Sequence, residues 1–421
     1  MIALNCAGFA EAIGAISVGA ASFSGSTAND IRVISVITCV GLMILAAIGG
    51  VRWYAKVGFA LFAVLCVAIG AICFGSLQPR TAAMRAAGFV GYDAGASGAD
   101  AGRYTSDAVT GSPTDFVVVF SIFFPSATGI MGGANLSGDL AKPSVSIPRG
   151  TFMGIAFTAA SHIALVVVYG LSCAPCVGEY CSAAMGGAVH WASAGVNATL
   201  PRGGLLFNYF LPVTMSLWGP LTYAGIIAAA VSSALGGMIC GPLVLQAISR
   251  DGLFDSRFVR AFAGDTVEGG GAGDPLLGTI VTCAVALAFI MIGDLNSIAS
   301  IVTSGHLVTF AVINYACFLS ATSKSIGWRP TFKYFNAFVA LFGVLLNLAV
   351  AFAIEWASSI AVCGVAGGAY VVASRVRTRV DWGSTQQAVA YEVRRAQHSP
   401  FGCVRGVRPG VVRRVRGLGI V

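Results

Sequence analysis

Apolar residues dominate this chain in ten long runs separated by short polar intervals. The runs are Ile2–Ala20, Ile31–Gly50, Ala55–Leu77, Phe116–Gly138, Thr151–Ser172, Leu221–Ala247, Leu276–Ile292, Ile298–Leu319, Phe335–Phe352 and Ile354–Ala373. A helix needs about 20 such residues to cross a bilayer. Backbone polar groups cannot go unpaired in hydrocarbon, so each run must be a helix or a strand of a closed barrel. The period-two alternation of barrel strands is absent, so the pattern predicts an all-α membrane protein with about ten transmembrane helices. The last two runs are nearly continuous, and Glu355–Trp356 is the expected hairpin tip between them. The first run is apolar from residue 2, lacks a basic start and is followed by further spans, so it does not read as a cleavable signal.

The polar intervals carry little that looks like a domain. Gln78–Asp115 is rich in Gly, Ala and Ser and reads as a flexible, exposed loop; Asp255–Asp274 is a second Gly-rich connector. After Ala373 the composition turns polar and basic, and residues 403–421 are little more than Val, Gly and Arg. The expected division is therefore a transmembrane domain over 1–373 and, over 374–421, the start of a cytoplasmic region whose basic tail suits anionic lipid. Composition agrees with this picture: 57% of residues are hydrophobic and 10% charged, against about 25% charged in soluble domains. The 54 glycines suit helices that approach closely in a membrane.

Charge placement predicts orientation. With a cytoplasmic amino terminus and alternating spans, the inner loops hold ten Lys and Arg, the tail holds ten more, and the outer loops hold only Arg32, Arg80, Arg85, Arg103 and Arg202. That is a strong positive-inside bias. It also accounts for the net charge of +8 without a nucleic-acid partner. The sequon Asn197-Ala198-Thr199 then falls outside, where glycosylation is possible. Cys173, Cys176 and Cys181 fall there too, enough for one bridge at most. The remaining cysteines are dispersed and read as small buried apolar residues.

Chemistry concentrates at Phe123–Gly133. Pro125 has no amide hydrogen to give and crowds the preceding turn, and Gly129, Gly132 and Gly133 weaken the helix further. A break at membrane depth is tolerated where it lines a cavity. Its free carbonyls suit a cation; its free amides and positive dipole end suit an anion. The alternative is a kinked structural helix. A second polar feature is Ser232-Ser233 inside an apolar run, whose hydroxyl oxygens could help hold a hard cation. The alternative there is two serines bonded to their own helix. The four histidines, His162, His190, His306 and His398, show no ligand spacing, and nothing points to an enzyme or a cofactor.

The segment "FFPSATGIMGGANLSGDLAKPSVSIPRGT", Phe123–Thr151, strongly resembles the hallmark of the cation-chloride cotransporters, within the amino acid-polyamine-organocation superfamily. Further similar segments are "AGIIAAAVSSALGG" (Ala224–Gly237), "QAISRDGLFD" (Gln246–Asp255), "SKSIGWRPTFKYFN" (Ser323–Asn336) and "DWGSTQQAVAYEVRRAQHS" (Asp381–Ser399). "GFAE" (Gly8–Glu11) and "NDIRVIS" (Asn29–Ser35) resemble the family's third and fourth helices. The resemblance implies an inverted-repeat transporter fold with broken helices, aligned so that the chain starts within the third of twelve helices, and a homodimer.

The resemblance also implies sites. The potassium-like site is Pro125 and Thr128, with Asn5 where the family has a tyrosine. A chloride site is formed by the amides of Gly129, Ile130 and Met131, with Phe310 where the family has a tyrosine hydroxyl. The sodium site is the Ala229 carbonyl with the Ser232 and Ser233 hydroxyls; the serine pair and "GFAE" point to the sodium-coupled branch. Glu11, an intramembrane carboxylate, is a candidate gate or a paired structural group. The expected activity is symport of sodium with chloride by alternating access, with potassium as an open second cation. The rivals are an amino-acid or polyamine permease of the same superfamily, and a non-transporting relative that modulates longer partners.

Overall fold

The computed structural model describes residues 1–18, 28–92, 115–135, 137–174, 204–205, 208–251, 261–263, 266–267, 271–272, 276–292, 295–322, 330, 332 and 334–375. Its helices are α1 (Ile2–Val18), α2 (Ala28–Gly75), α3 (Ala82–Ala87), α4 (Phe116–Phe123), a 3-10 stretch (Phe124–Met131), α5 (Gly132–Asn135) and α6 (Pro143–Ser172). They continue as α7 (Leu211–Met215), α8 (Gly219–Arg250), α9 (Leu276–Ile290), α10 (Leu295–Thr322), α11 (Ala337–Ile354) and α12 (Trp356–Arg375). Two short 3-10 turns, Ser137–Asp139 and Ala261–Ala263, and a two-residue hairpin, Thr266–Val267 with Gly271–Ala272, complete the described elements.

Eight helical segments are long and apolar enough to cross a membrane, and two shorter apolar ones, Ile2–Ser17 and Leu276–Ile290, correspond to the remaining runs. α2 holds two of the spans, Asn29–Val51 and Trp53–Gly75. They part at Gly50, whose φ of 61° is one that only glycine adopts without strain. Glu355 stands alone between α11 and α12, the tip that the sequence predicts.

The chain divides into two compact units. The first comprises Met1–Thr309 with Asn347–Arg379; the second comprises Phe310–Leu346 with Val380–Val421. In the first unit α1, the first arm of α2, α8 and α9 pack against one another. Their buried seam includes Cys6, Cys39, Leu42, Leu235, Met238 and Ile290. Lipid is as apolar as these side chains, so close packing rather than transfer from water drives such contacts, and small residues enable it. At Gly225 of α8, a Cβ would collide with that of Ala68 on α2. In the second unit, Gly343 of α11 lies against the Asn314 amide of α10.

One expectation fails at Gln78–Asp115. Its first part, through residue 92, is folded. Thr81 caps α3 by accepting from the Met84 amide, and Gly88 ends it at φ 111°. Phe89 is then fully buried with Cys173, Leu211 and Met215. Val90 and Gly91 donate to the Ser172 carbonyl, and Ala174 donates to the Gly88 carbonyl. Cys173 is a free thiol against Met215, and burial pushes its pKa up. A composition of Gly and Ala hid one aromatic anchor. Asn197, Cys176, Cys181 and the tail from 376 lie outside the described residues.

Candidate functional site

Phe123–Gly133 does not open into a gap. From Phe124 to Met131 it winds as a 3-10 helix, with Pro125 in its first turn. The physical reason is backbone satisfaction. Pro125 cannot donate to the Ser121 carbonyl one turn back, and the tighter winding pairs the amides that follow. The freed carbonyl is not left bare: Thr303 of α10 donates its hydroxyl to Ser121 O at 2.8 Å, in a buried setting.

The 3-10 period of three residues sorts the candidate residues onto faces. Pro125 and Thr128 share the buried face, and Met131, three further on, is half-buried. Ser126, Ala127, Gly129 and Ile130 are exposed. Thr128 Oγ1 donates to the Pro125 carbonyl at 2.7 Å, so the two potassium-like ligands hold each other. The chloride candidates separate: Gly129 and Ile130 face one way and Met131 the other. Their amides lie within 3-10 winding, which the Gly132 amide continues by bonding Gly129 O. An anion can take them only when that winding loosens.

Gly129, Ile130 and Gly133 line a groove of ≈ 650 Å³ shared with Ser146, Thr151 and His162 of α6. His162 Nδ1 lies 2.8 Å from the Thr158 carbonyl. A carbonyl only accepts, so Nδ1 carries a proton. The His162 ring meets Phe123 edge-on, centroids 5.2 Å apart.

On the opposite, buried side, α1 brings two predicted sites together. Asn5 Nδ2 donates to Ser233 Oγ of α8 at 3.0 Å, across 228 residues of sequence, and to Met1 O at 2.9 Å. Thr128 Oγ1 also lies 3.5 Å from Met1 Sδ. Met1, Asn5, Thr128, Pro125 and Ser233 therefore form one polar junction among α1, the 3-10 stretch and α8. Ala229, Ser232 and Ser233 are all half-buried on α8. Ser35 and Thr38 bond the carbonyl one turn back, as Ser172 does. Ser233 Oγ is turned to the neighbouring helix, where it accepts from Asn5.

Glu11 is half-buried on α1, about 9 Å along the axis from Asn5. Phe310 lies in the second unit, where its carbonyl accepts from Asn314 Nδ2 at 2.9 Å.

A second polar seam was missed by the sequence reading. Ser121 Oγ lies 3.4 Å from Ser300 Oγ. Ser358 Oγ donates toward Ser304 Oγ at 3.1 Å and lies 3.2 Å from Glu355 Oε2. Thr303 and Ser304 are fully buried. They are a hydroxyl doublet inside an apolar run, the same signal as Ser232-Ser233, and would have marked the seam.

A family profile described as amino acid permease matches residues 1–393. Human solute carrier family 12 member 1 is 33% identical over 407 residues, which is 93% of this chain and 35% of that protein. Human solute carrier family 12 member 2 is 32% identical over 94% of this chain and 33% of its own length. Mouse solute carrier family 12 member 3 is 31% identical over 93% and 39% respectively. The chain thus spans about a third of the length of these curated relatives. Profile, relatives and the motif at Phe123–Thr151 agree, and the chain belongs to the amino acid permease family, in its cation-chloride cotransporter branch.

Proposed function

We propose that this chain forms the ion-handling part of a sodium-coupled chloride symporter that works by alternating access, without covalent chemistry or a cofactor. One observation carries the reading. Ser233 on α8 and the Pro125–Thr128 face of the 3-10 stretch meet the same short segment, Met1 to Asn5. Oxygen donors of this kind suit a hard monovalent cation. The exposed face of the same stretch, Gly129 and Ile130, borders the groove against α6; loosened, it would offer amides to chloride. Loosening therefore couples the two ions in this proposal. The chain sits as a multi-pass protein with its basic carboxy-terminal region inside, in the plasma membrane, and it pairs with a second copy.

Sodium-dependent uptake of radioactive chloride into proteoliposomes tests this. Ser232→Ala with Ser233→Ala is expected to abolish the uptake while leaving chromatographic behaviour unchanged. Equal uptake by the double variant would remove these serines from the site. A second reading, an amino-acid permease, is favoured by the description of the matching family profile. Chloride-independent uptake of a labelled amino acid would support it instead.

A further inference from the structure

The four helices packed in the first unit each give a buried sulfur to their shared seam: Cys6 from α1, Cys39 from α2, Met238 from α8 and Cys283 from α9. Two of these sulfurs touch. Cys39 Sγ lies 3.8 Å from Cys283 Sγ, across 244 residues of sequence, and both are free thiols. We propose that Cys39 and Cys283 form a dithiol site for a soft monovalent metal cation of the Cu(I) class, which bridges α2 to α9. This stands apart from the sodium-coupled reading, because it uses no residue of the 3-10 stretch or of the serine pair.

The donors select the metal. Thiolate and thioether sulfur favours Cu(I), whereas magnesium and calcium take oxygen. The buried remainder of the seam is Ala, Leu and Ile, which offers a hard cation nothing. Among the described residues no group of three or more His, Cys, Asp and Glu side chains could hold a metal ion, and a structural zinc needs four ligands. A soft monovalent ion is satisfied by two sulfurs in line. Charge points the same way. Cys39 lies near the middle of the Asn29–Val51 span, where an uncompensated charge is costly. As the metal binds, one thiol gives up its proton and the other binds as a neutral thiol. Thiolate and monovalent cation then leave the site neutral, whereas a divalent ion would leave a net charge or have to strip both protons.

Geometry favours a bridging ion over a bond between the sulfurs. Two metal–sulfur bonds of about 2.3 Å in line span about 4.6 Å, so the pair opens by less than about 1 Å. A disulfide would need the sulfurs to close to about 2.0 Å. It would also need an oxidant to reach thiols that are fully buried, and buried thiols are inert. Cys6 adjoins Cys39 from α1, so an ion that opens the pair meets sulfur on that side as well.

The test is retention of Cu(I) by the full chain in lipid nanodiscs, loaded anaerobically under reducing conditions and then challenged with a chromogenic Cu(I) chelator. One equivalent is expected to resist the chelator, with sulfur alone bound to it by X-ray absorption. Cys39→Ser and Cys283→Ser should each weaken retention more than about a hundredfold, the upper cost of losing even an outer partner of a metal ligand. Cys66→Ser, which removes a half-buried thiol on the other arm of α2, should keep it. Bound Cu(I) should also raise the thermal unfolding temperature of the unsubstituted chain and leave that of Cys39→Ser unmoved. If a serine variant does not fold, Cys39→Ala or Cys283→Ala reads the same retention. No retained equivalent, a retained ion bound to oxygen or nitrogen, or retention that survives loss of either thiol overturns the site.

Discussion

The helices α8 and α6 are alike in sequence and opposite in structure. Their apolar windows have mean hydropathies of 1.8 and 1.9, yet 33% of the α8 window is buried inside the protein and none of the α6 window is. Hydropathy separates membrane from water. It does not separate lipid from protein, because both surround a helix with hydrocarbon. What distinguishes α8 is the fit of its small residues to α1, α2 and α9, as at Gly225, and the Ser233 hydroxyl that meets Asn5. α6 keeps its glycines in open space, with nothing near the positions a Cβ would take at Gly150 and Gly154. The cation candidates thus rest on the packed side of the molecule. The exposed candidates Gly129 and Ile130 rest on the side that borders the groove against α6.

Paired substitutions can break this contrast. The largest expected effect is from Met238→Ala, which empties a fully buried position in the α8 seam and should cost about 2–5 kcal/mol. Met153→Ala on α6, a residue 64% exposed, should stay within about 0.5 kcal/mol. Thermal unfolding in nanodiscs followed by fluorescence measures both, and equal shifts would erase the distinction. Next is Gly225→Leu, forced against Ala68, which should cost about 1–3 kcal/mol and shrink the monodisperse chromatographic peak. Gly154→Leu should leave that peak intact. The smallest is Thr303→Val, which strips the hydroxyl from the carbonyl that Pro125 leaves free. It should cost about 1–2 kcal/mol and speed amide exchange over Phe124–Met131. Unchanged exchange there would show that the 3-10 winding holds without α10.

The two sides also differ in how far they could be read beforehand. The break at Pro125 was visible because proline and glycine act on their own backbone. Its closed form was not, because the hydroxyl that stabilises it sits on Thr303, 182 residues away. The serine pair was visible as polar residues in an apolar run, and Asn5 was visible only as a departure from a family tyrosine. That Asn5 and Ser233 are partners was hidden. Residues 78–92 looked flexible from composition, and a single phenylalanine, Phe89, packs that described part against Cys173, Leu211 and Met215.

By itself the sequence determined the membrane class, the ten apolar segments, the hairpin tip at Glu355 and the family. Each depends on local quantities, the transfer cost of a segment or the spelling of a motif, that add up along the chain. Only the tertiary structure decided which helices touch protein, which face of the 3-10 stretch is buried, and that residues 5 and 233 share a hydrogen bond. Those outcomes depend on shape complementarity between distant segments, which no local sum contains.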